Sequence, residues 1–344
     1  MMICNARNLD FQITGVQRYT REILSRSSGE IVVLKPQKPM QGFRGHIWEQ
    51  FILPLKLKGK LLWSPSNTGP LTVKKQVVSI MDVSPLDNPG WSSKKFSGWY
   101  QFLIPRLIKK VNAVITISEF SRDRILYYCP EAASKIHVTL LAADQRFKPV
   151  DKDEVDSVVV QLNLPSQHYI VALGSLEPRK NLHTLLKVWS QVHSKLPDEV
   201  WLVLAGAKGQ ALVFGDQTYE SLPPRVHLTG HVPDNTLPAL YSGALASVYL
   251  SFYEGFGLPP LEAMSCGAPV LVSNTTSLPE VVGDAGLMVD PSDLEAIGDG
   301  LIRLVEDSKL RKDLRLLGLA RAKQFNWEKT AQQTWQVLED AARQ

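Results

Sequence analysis

The chain has 344 residues, 44% of them apolar and 21% charged, an ordinary soluble composition and long enough for two cores. It has no run of eighteen apolar residues and no basic start followed by an apolar stretch, so the sequence points to neither a membrane-spanning helix nor a secretion signal. The net charge of +4 hides a split: residues 1–150 hold 22 Lys and Arg against 10 Asp and Glu, a balance of +12, and the remainder carries −8.

A basic N-terminal half suits an anionic partner, whether nucleic acid, an anionic membrane surface or a phosphorylated lipid. The alternative is that the two halves attract one another. Three scattered cysteines, Cys4, Cys129 and Cys266, form no CxxC pair. They read as small buried apolar residues in a reducing compartment.

In chain order, a helical pattern at 16–26 is followed by apolar runs at 77–80 and 112–117 that read as strands. A polar, proline-containing break follows, "FKPVDKDEVDSVV" (147–159). Beyond it, strand-like runs at 169–174, 200–206, 246–251 and 268–273 alternate with helical patterns at 181–196 and 294–307. Continuous Val, Ile and Leu runs of this length suit parallel strands covered on both faces. The alternation predicts doubly wound α/β sheets in two domains, 1–150 and 151–325. A last helix at 326–344 opens on Asn326 as its cap. The acids of "DKD" (151–153) read as a solvated linker rather than a metal motif.

The P-loop and GxGxxG patterns are absent, which disfavours a Walker-type ATPase and a dinucleotide dehydrogenase. Two other stretches carry chemistry. In "ALGSLEPRKNL" (172–182) a strand ends at Gly174, and Ser175 opens a polar loop that brings Arg179 and Lys180 to a helix start. Ligands of open α/β sheets bind beyond the strand carboxyl ends, where helix N-termini favour phosphate. In "FYEGFGLPPLEAM" (252–264) Glu254 and Glu262 flank a turn whose Gly255 and Gly257 permit unusual backbone. Pro259 and Pro260 suit a helix's first turn, and the N–H groups of Phe256, Gly257 and Leu258 face an anion or hydroxyl. Read alone, the two acids fit a metal site, a hydrolase acid pair or a sugar-nucleotide clamp.

"EGFGLPPLEAMSCGAPVLVSNTTSLPEVVGDAGLMVDP" (254–291) resembles the E-x7-E region of retaining GT-B glycosyltransferases of family GT4. "GSLEPRKNL", "VHLTGHVPDNTLPALYSGALASVYLS" and "FNWEKTAQQT" extend the resemblance, as do "TGVQRYTREIL", "HIWEQFILP", "SPSNTGPL" and "VITISEFSRDRI" in the first half. It implies a GT-B fold: two Rossmann-like domains facing a central cleft, the N-terminal one for the acceptor and the C-terminal one for the donor, with the last helix crossing back. Glu262 would then bind the donor ribose and Glu254 the donor sugar, helped by the turn at Gly255, Phe256, Gly257 and Leu258. Lys180 and Arg179 would neutralise the diphosphate, which Gly15 also approaches. The base would lie near Gly230, His231 and Val232. Two departures stand out. Ser175 follows Gly174 where many members carry a basic residue, and Met81 precedes Asp82 where a histidine usually contacts the sugar. Asp82 remains a polar contact for donor or acceptor.

What the resemblance implies is a retaining, metal-independent hexosyltransferase with no cofactor, in which the leaving phosphate helps deprotonate the acceptor. It is similar in style to bacterial mannosyltransferases of polysaccharide assembly, which makes GDP-mannose the expected donor and a glycan or lipid-linked oligosaccharide the expected acceptor. No nucleic acid is expected. "LPLKLKGKLLW" (53–63) and "WSSKKFSGWYQFLIPRLIKK" (91–110) mix cations with large apolar residues. They point to a cytoplasmic protein attached peripherally to the inner face of the cell membrane. Competing readings are a hydrolase or epimerase on the same fold, and a non-catalytic sugar-nucleotide or nucleic-acid binder.

Overall fold

The computed structural model describes residues 2–11, 15–27, 29–40, 42–174, 177–206, 212–214, 217–219 and 222–344. Two units form, Met1–Leu141 together with Asn326–Gln344, and Ala142–Phe325. The boundary therefore falls before residue 150. The expected linker is largely a helix, Lys152–Gln161, capped by Asp151, whose carboxylate accepts the Glu154 N–H at 3.0 Å. The acids of "DKD" thus start a helix. Only Val158 of that helix is fully buried, which is why its composition reads as linker.

The first unit holds one six-stranded parallel sheet built from β1 (Met2–Asn5), β2 (Ile31–Leu34), β3 (Leu62–Ser64), β4 (Gln76–Ser79), β5 (Ala113–Thr116) and β6 (Ile136–Val138). Its order is β2-β1-β3-β4-β5-β6. Val78, Ile80 and Val114 pack with Ile104, Leu107 and Ile108 of the helix Lys94–Lys110. The helix Trp327–Arg343 belongs to this unit. Asn326 caps it, its side chain accepting the Lys329 N–H at 2.7 Å, and buried Trp335 donates from Nε1 to Ile23 O at 3.2 Å.

The second unit holds β7 (Tyr169–Leu173), β8 (Trp201–Ala205), the antiparallel hairpin β9 (Leu212–Phe214) and β10 (Gln217–Tyr219), β11 (Val226–Gly230), β12 (Ala246–Tyr249), β13 (Val270–Ser273) and β14 (Leu287–Val289). The hairpin apart, these strands form a parallel sheet ordered β11-β8-β7-β12-β13-β14. That is the doubly wound order of dinucleotide-binding folds, and it reverses between β7 and β12. Leu185, Leu186 and Trp189 of the helix Leu182–Val192 cover the sheet with Ile297, Leu301 and Leu304 of the helix Leu294–Glu306.

Both sheets are thus all-parallel, with the inner strands buried along most of their length and the edge strands β2, β6, β11 and β14 only partly covered. The apolar runs at 77–80, 112–117, 169–174, 200–206, 246–251 and 268–273 each overlap a strand, β4 starting one residue early at Gln76. All three cysteines are buried and free.

Candidate active site

A doubly wound sheet binds ligands at the reversal of strand order, because the loops leaving neighbouring strands part there. In the second unit that point lies between β7 and β12. The loop after β7 delivers Arg179 and Lys180, and the loop after β12 delivers Glu254. All three meet. Lys180 Nζ lies 2.7 Å from Glu254 Oε1, and Arg179 Nη1 lies 3.1 Å from the same oxygen. Tyr249, the last residue of β12, donates its hydroxyl to that oxygen at 2.9 Å and is also hydrogen-bonded to Lys180 Nζ. Glu254 Oε1 thus gathers three donors, and Oε2 takes none of them.

Glu254 is 8% exposed. Burial opposes its ionisation, but Lys180 and then Arg179 outweigh that and hold the carboxyl below the usual range. Tyr249 moves the other way: burial first, and then the Glu254 charge, push its phenol well up. The guanidinium of Arg179 is also engaged from outside, Nε donating to Glu177 Oε2 at 2.7 Å.

The scaffold around these charges uses unusual backbone. Arg179 and Lys180 occupy a 3₁₀ turn, Pro178–Lys180, and the helix begins at Leu182 rather than at Asn181. Asn181 takes a left-handed conformation with φ 56°, which Asn tolerates better than most residues. Its amide donates to Pro291 O at 2.8 Å, fastening the cationic turn to the loop after β14. Thr276 also has positive φ, at 59°, an outlier for a β-branched residue. Its hydroxyl accepts the Glu254 N–H at 3.3 Å, while Ser277 Oγ donates to Glu254 O at 2.9 Å or Phe256 O at 2.7 Å. Strain of this kind persists where surrounding contacts over-determine it, commonly at functional sites.

The helix after the turn is Leu258–Ser265, with Gly257 as its cap at φ 113°. A Cβ on Gly257 would lie 2.7 Å from Leu278 Cδ2. Glu262 lies in this helix, 4% exposed. The Cys266 thiol is pushed up to about 12 by burial first and by the Glu262 carboxylate second, with Arg315 opposing.

Gly174, Gly206 and Gly230 end β7, β8 and β11 side by side. Gly174 N–H donates to Ala205 O at 3.0 Å, and Gly206 N–H to Gly230 O at 2.7 Å. Val232 is buried and His231 exposed just beyond. Ser175 lies outside the described residues.

In the first unit the corresponding reversal falls between β1 and β3, and a buried polar network occupies it. Glu49, fully buried, accepts at Oε1 from Asn5 Nδ2 at 2.7 Å and Thr68 Oγ1 at 2.9 Å, with Arg7 Nε at 3.2 Å. Burial opposes its charge, and Arg7 leads the groups that hold its pKa down nonetheless. Trp99 Nε1 donates to His46 Nδ1 at 3.1 Å. An indole only donates, so His46 Nδ1 is the acceptor in that bond. Glu49 belongs to a π-helical turn, Trp48–Ile52, a feature common near functional sites.

Met81 is 6% exposed. Its N–H donates to Asn67 Oδ1 at 2.6 Å and its carbonyl accepts from Ser121 Oγ. The Asp82 Oδ1 accepts from Ser84 N and Oγ at 2.9 and 2.6 Å, a local turn bond. Gly15 opens the helix Gly15–Ser25.

Of the residues singled out by sequence, Arg179, Lys180 and Glu254 therefore converge directly. Tyr249, Asn181, Thr276, Ser277 and Gly206 were missed, as was the network around Glu49. Only "HIWEQFILP" and the Asn after two cations carried any signal for them.

Residues 158–316 match the family described as glycosyl transferases group 1. The chain is 36% identical over 283 residues to O-antigen chain mannosyltransferase B of Escherichia coli, covering 80% of this chain and 73% of that one. It is 29% identical over 238 residues to O-antigen chain mannosyltransferase RfbU of Salmonella typhimurium, covering 68% and 62%. In fold it is similar to Anabaena HepE, solved in complex with UDP-glucose, at TM-score 0.75 and 18% identity over 98% of this chain and 99% of that one. A sucrose-phosphate synthase from Thermosynechococcus elongatus gives TM-score 0.74 and 19% identity over 99% of both. The paired parallel sheets with these neighbours are the GT-B fold of glycosyltransferases. The chain belongs to the glycosyl transferases group 1 family, and it is an enzyme of glycosyl transfer.

Proposed function

We propose that this enzyme transfers mannose, with retention and without a metal ion, from GDP-mannose to a hydroxyl of a glycan or lipid-linked oligosaccharide in assembly of a bacterial surface polysaccharide. The observation that carries the donor reading is the convergence of Lys180 and Arg179 on Glu254 at the β7/β12 reversal. The names of the E. coli and Salmonella relatives support the sugar.

In this reading the donor diphosphate takes the two cations, which frees Glu254 to accept sugar hydroxyls. Tyr249 keeps the carboxylate aimed. Glu262 holds the ribose diol, the backbone N–H groups of Phe256, Gly257 and Leu258 hold sugar hydroxyls, and the base lies by Gly230, His231 and Val232. Gly15 leaves room for the diphosphate, and Asp82 contacts donor or acceptor. The bond from the anomeric carbon to the phosphate oxygen breaks and the acceptor oxygen bonds that carbon. The acceptor proton passes to the leaving phosphate. Negative charge grows on that phosphate, where fixed cations stabilise it most.

The test is incubation of the purified chain with GDP-mannose, UDP-glucose and related donors plus a mannosylated acceptor, with excess EDTA in parallel. Transfer from GDP-mannose, α-linked by NMR and undiminished by EDTA, is expected. Absence of both binding and transfer with every donor would sink the reading. A β-linked product would sink retention, and loss of activity in EDTA would sink metal independence.

A further inference from the structure

The helical segment spanning residues 42–55 is apolar on the wrong side for a globular protein. Its inner face carries Gly45, Trp48, Glu49 and Leu53, all buried. Its outer face carries Phe43, Ile47, Phe51 and Leu55, exposed by 76%, 41%, 70% and 83%. These four lie four residues apart. In an α-helix that spacing drifts by about 40° per step. The π-helical turn Trp48–Ile52 turns less per residue and offsets the drift, so they form one stripe. Beside it lies a cavity of about 520 Å³ lined by Phe51, Leu55, Leu57, Lys60, Lys74 and Lys75, among others. Residues 50–81 hold five lysines and no Asp or Glu.

We propose that this stripe and its lysine-lined groove form the docking surface for an anionic lipid bilayer. An apolar stripe with lysines along one flank matches acyl chains beneath a layer of phosphates. A second copy of the chain fits poorly, because a two-fold contact would set the same lysines against each other. No helix among the described residues is long and apolar enough to cross a membrane, so contact here is with the bilayer surface. Gln50 braces the segment, its amide donating to Gly69 O at 2.8 Å and accepting Leu71 N–H at 3.0 Å. The inner face reaches Asn5 and Thr68 through Glu49, so the bilayer face and the β1/β3 reversal are two sides of one helix. The surface stands apart from the choice of donor sugar.

The experiment is co-sedimentation of the full chain with vesicles of phosphatidylcholine alone and of phosphatidylcholine with phosphatidylglycerol at 3:1, with sedimentation velocity in their absence. The wild type is expected to bind the anionic vesicles at least tenfold more tightly, and more weakly in high salt. Phe51→Ser with Leu55→Ser is expected to lose at least tenfold. Lys74→Ala and Lys75→Ala are each expected to lose about fivefold. Equal binding to both vesicles, or variants that bind as the wild type does, would overturn the proposal. So would self-association that the Phe51/Leu55 variant abolishes, without vesicle binding. GDP binding measured on the same preparations is expected to be unchanged by these exposed substitutions. Its absence from every form would count against the donor reading while leaving the lipid result to stand by itself.

Discussion

Glu254 Oε1 sits where three donors converge, so the carboxylate engages the two cations that the proposed donor diphosphate would take. This gives opposite expectations for two ligands. Glu254→Gln removes the competing charge and is expected to tighten binding of free GDP several-fold by calorimetry, while sugar transfer falls at least a hundredfold. Weaker GDP binding in this variant would refute the competition. Stability follows the same carboxylate. Because its pKa is lowered in the folded state, its contribution is fully present above the unfolded value of about 4.3 and is lost as pH falls through the folded one. Glu254→Gln is therefore expected to cost about 1–3 kcal/mol at neutral pH. Denaturant titrations should show that gap closing below about pH 4. A polar loop between an apolar strand and a helix start made Arg179 and Lys180 legible in the sequence, and a glycine turn did the same for Glu254. Tyr249 was hidden, because within the apolar run "ASVYLS" it is indistinguishable from a core residue. Asn181 and Thr276 act through backbone dihedrals, to which composition is blind.

At the scale of elements, the apolar runs of the inner strands β4, β5, β7, β8, β12 and β13 were legible, whereas "MICN", "LWS" and "IHV" were not, nor was "IVVL" at a sheet edge. These three mixed segments are three or four residues long, and they become strands by pairing with their neighbours in the sheet. The helix Lys152–Gln161 was obscured for a related reason, since most of its surface meets solvent. The turn into the helix Leu258–Ser265 was legible from Gly257 and the prolines, and its geometry yields a second expectation. Gly257→Ala combines a positive φ with a 2.7 Å approach to Leu278 Cδ2. It is expected to cost about 1–3 kcal/mol and to weaken donor binding. Leu278 is itself fully buried, so Leu278→Ala costs stability alone, and the double variant is expected to lose less than the sum of the two single losses, because the approach is relieved and the dihedral is not. Coupling equal to the whole Gly257→Ala loss in thermal denaturation would show that φ carries no strain, and zero coupling would show that the contact does not matter.

Over the whole molecule, the two units invite separate perturbation. Trp335 is 2% exposed and packs within the first unit. Trp335→Ala is expected to cost about 3–5 kcal/mol and, by calorimetry, to lower a transition assigned to that unit. GDP is expected to raise the transition of the second unit instead. A single transition shifted equally by both would show that the units melt as one. The first unit is also discontinuous: its last helix, Trp327–Arg343, follows all of Ala142–Phe325 in the chain. A ribosome adding about 5–20 residues per second needs roughly 10–40 s to make the intervening segment. For that interval the strands of the first sheet exist without their final helix, while the second unit can close on its own residues. The order of folding during synthesis is then the reverse of the order of the chain, and the nascent first half is the part that needs protection from aggregation.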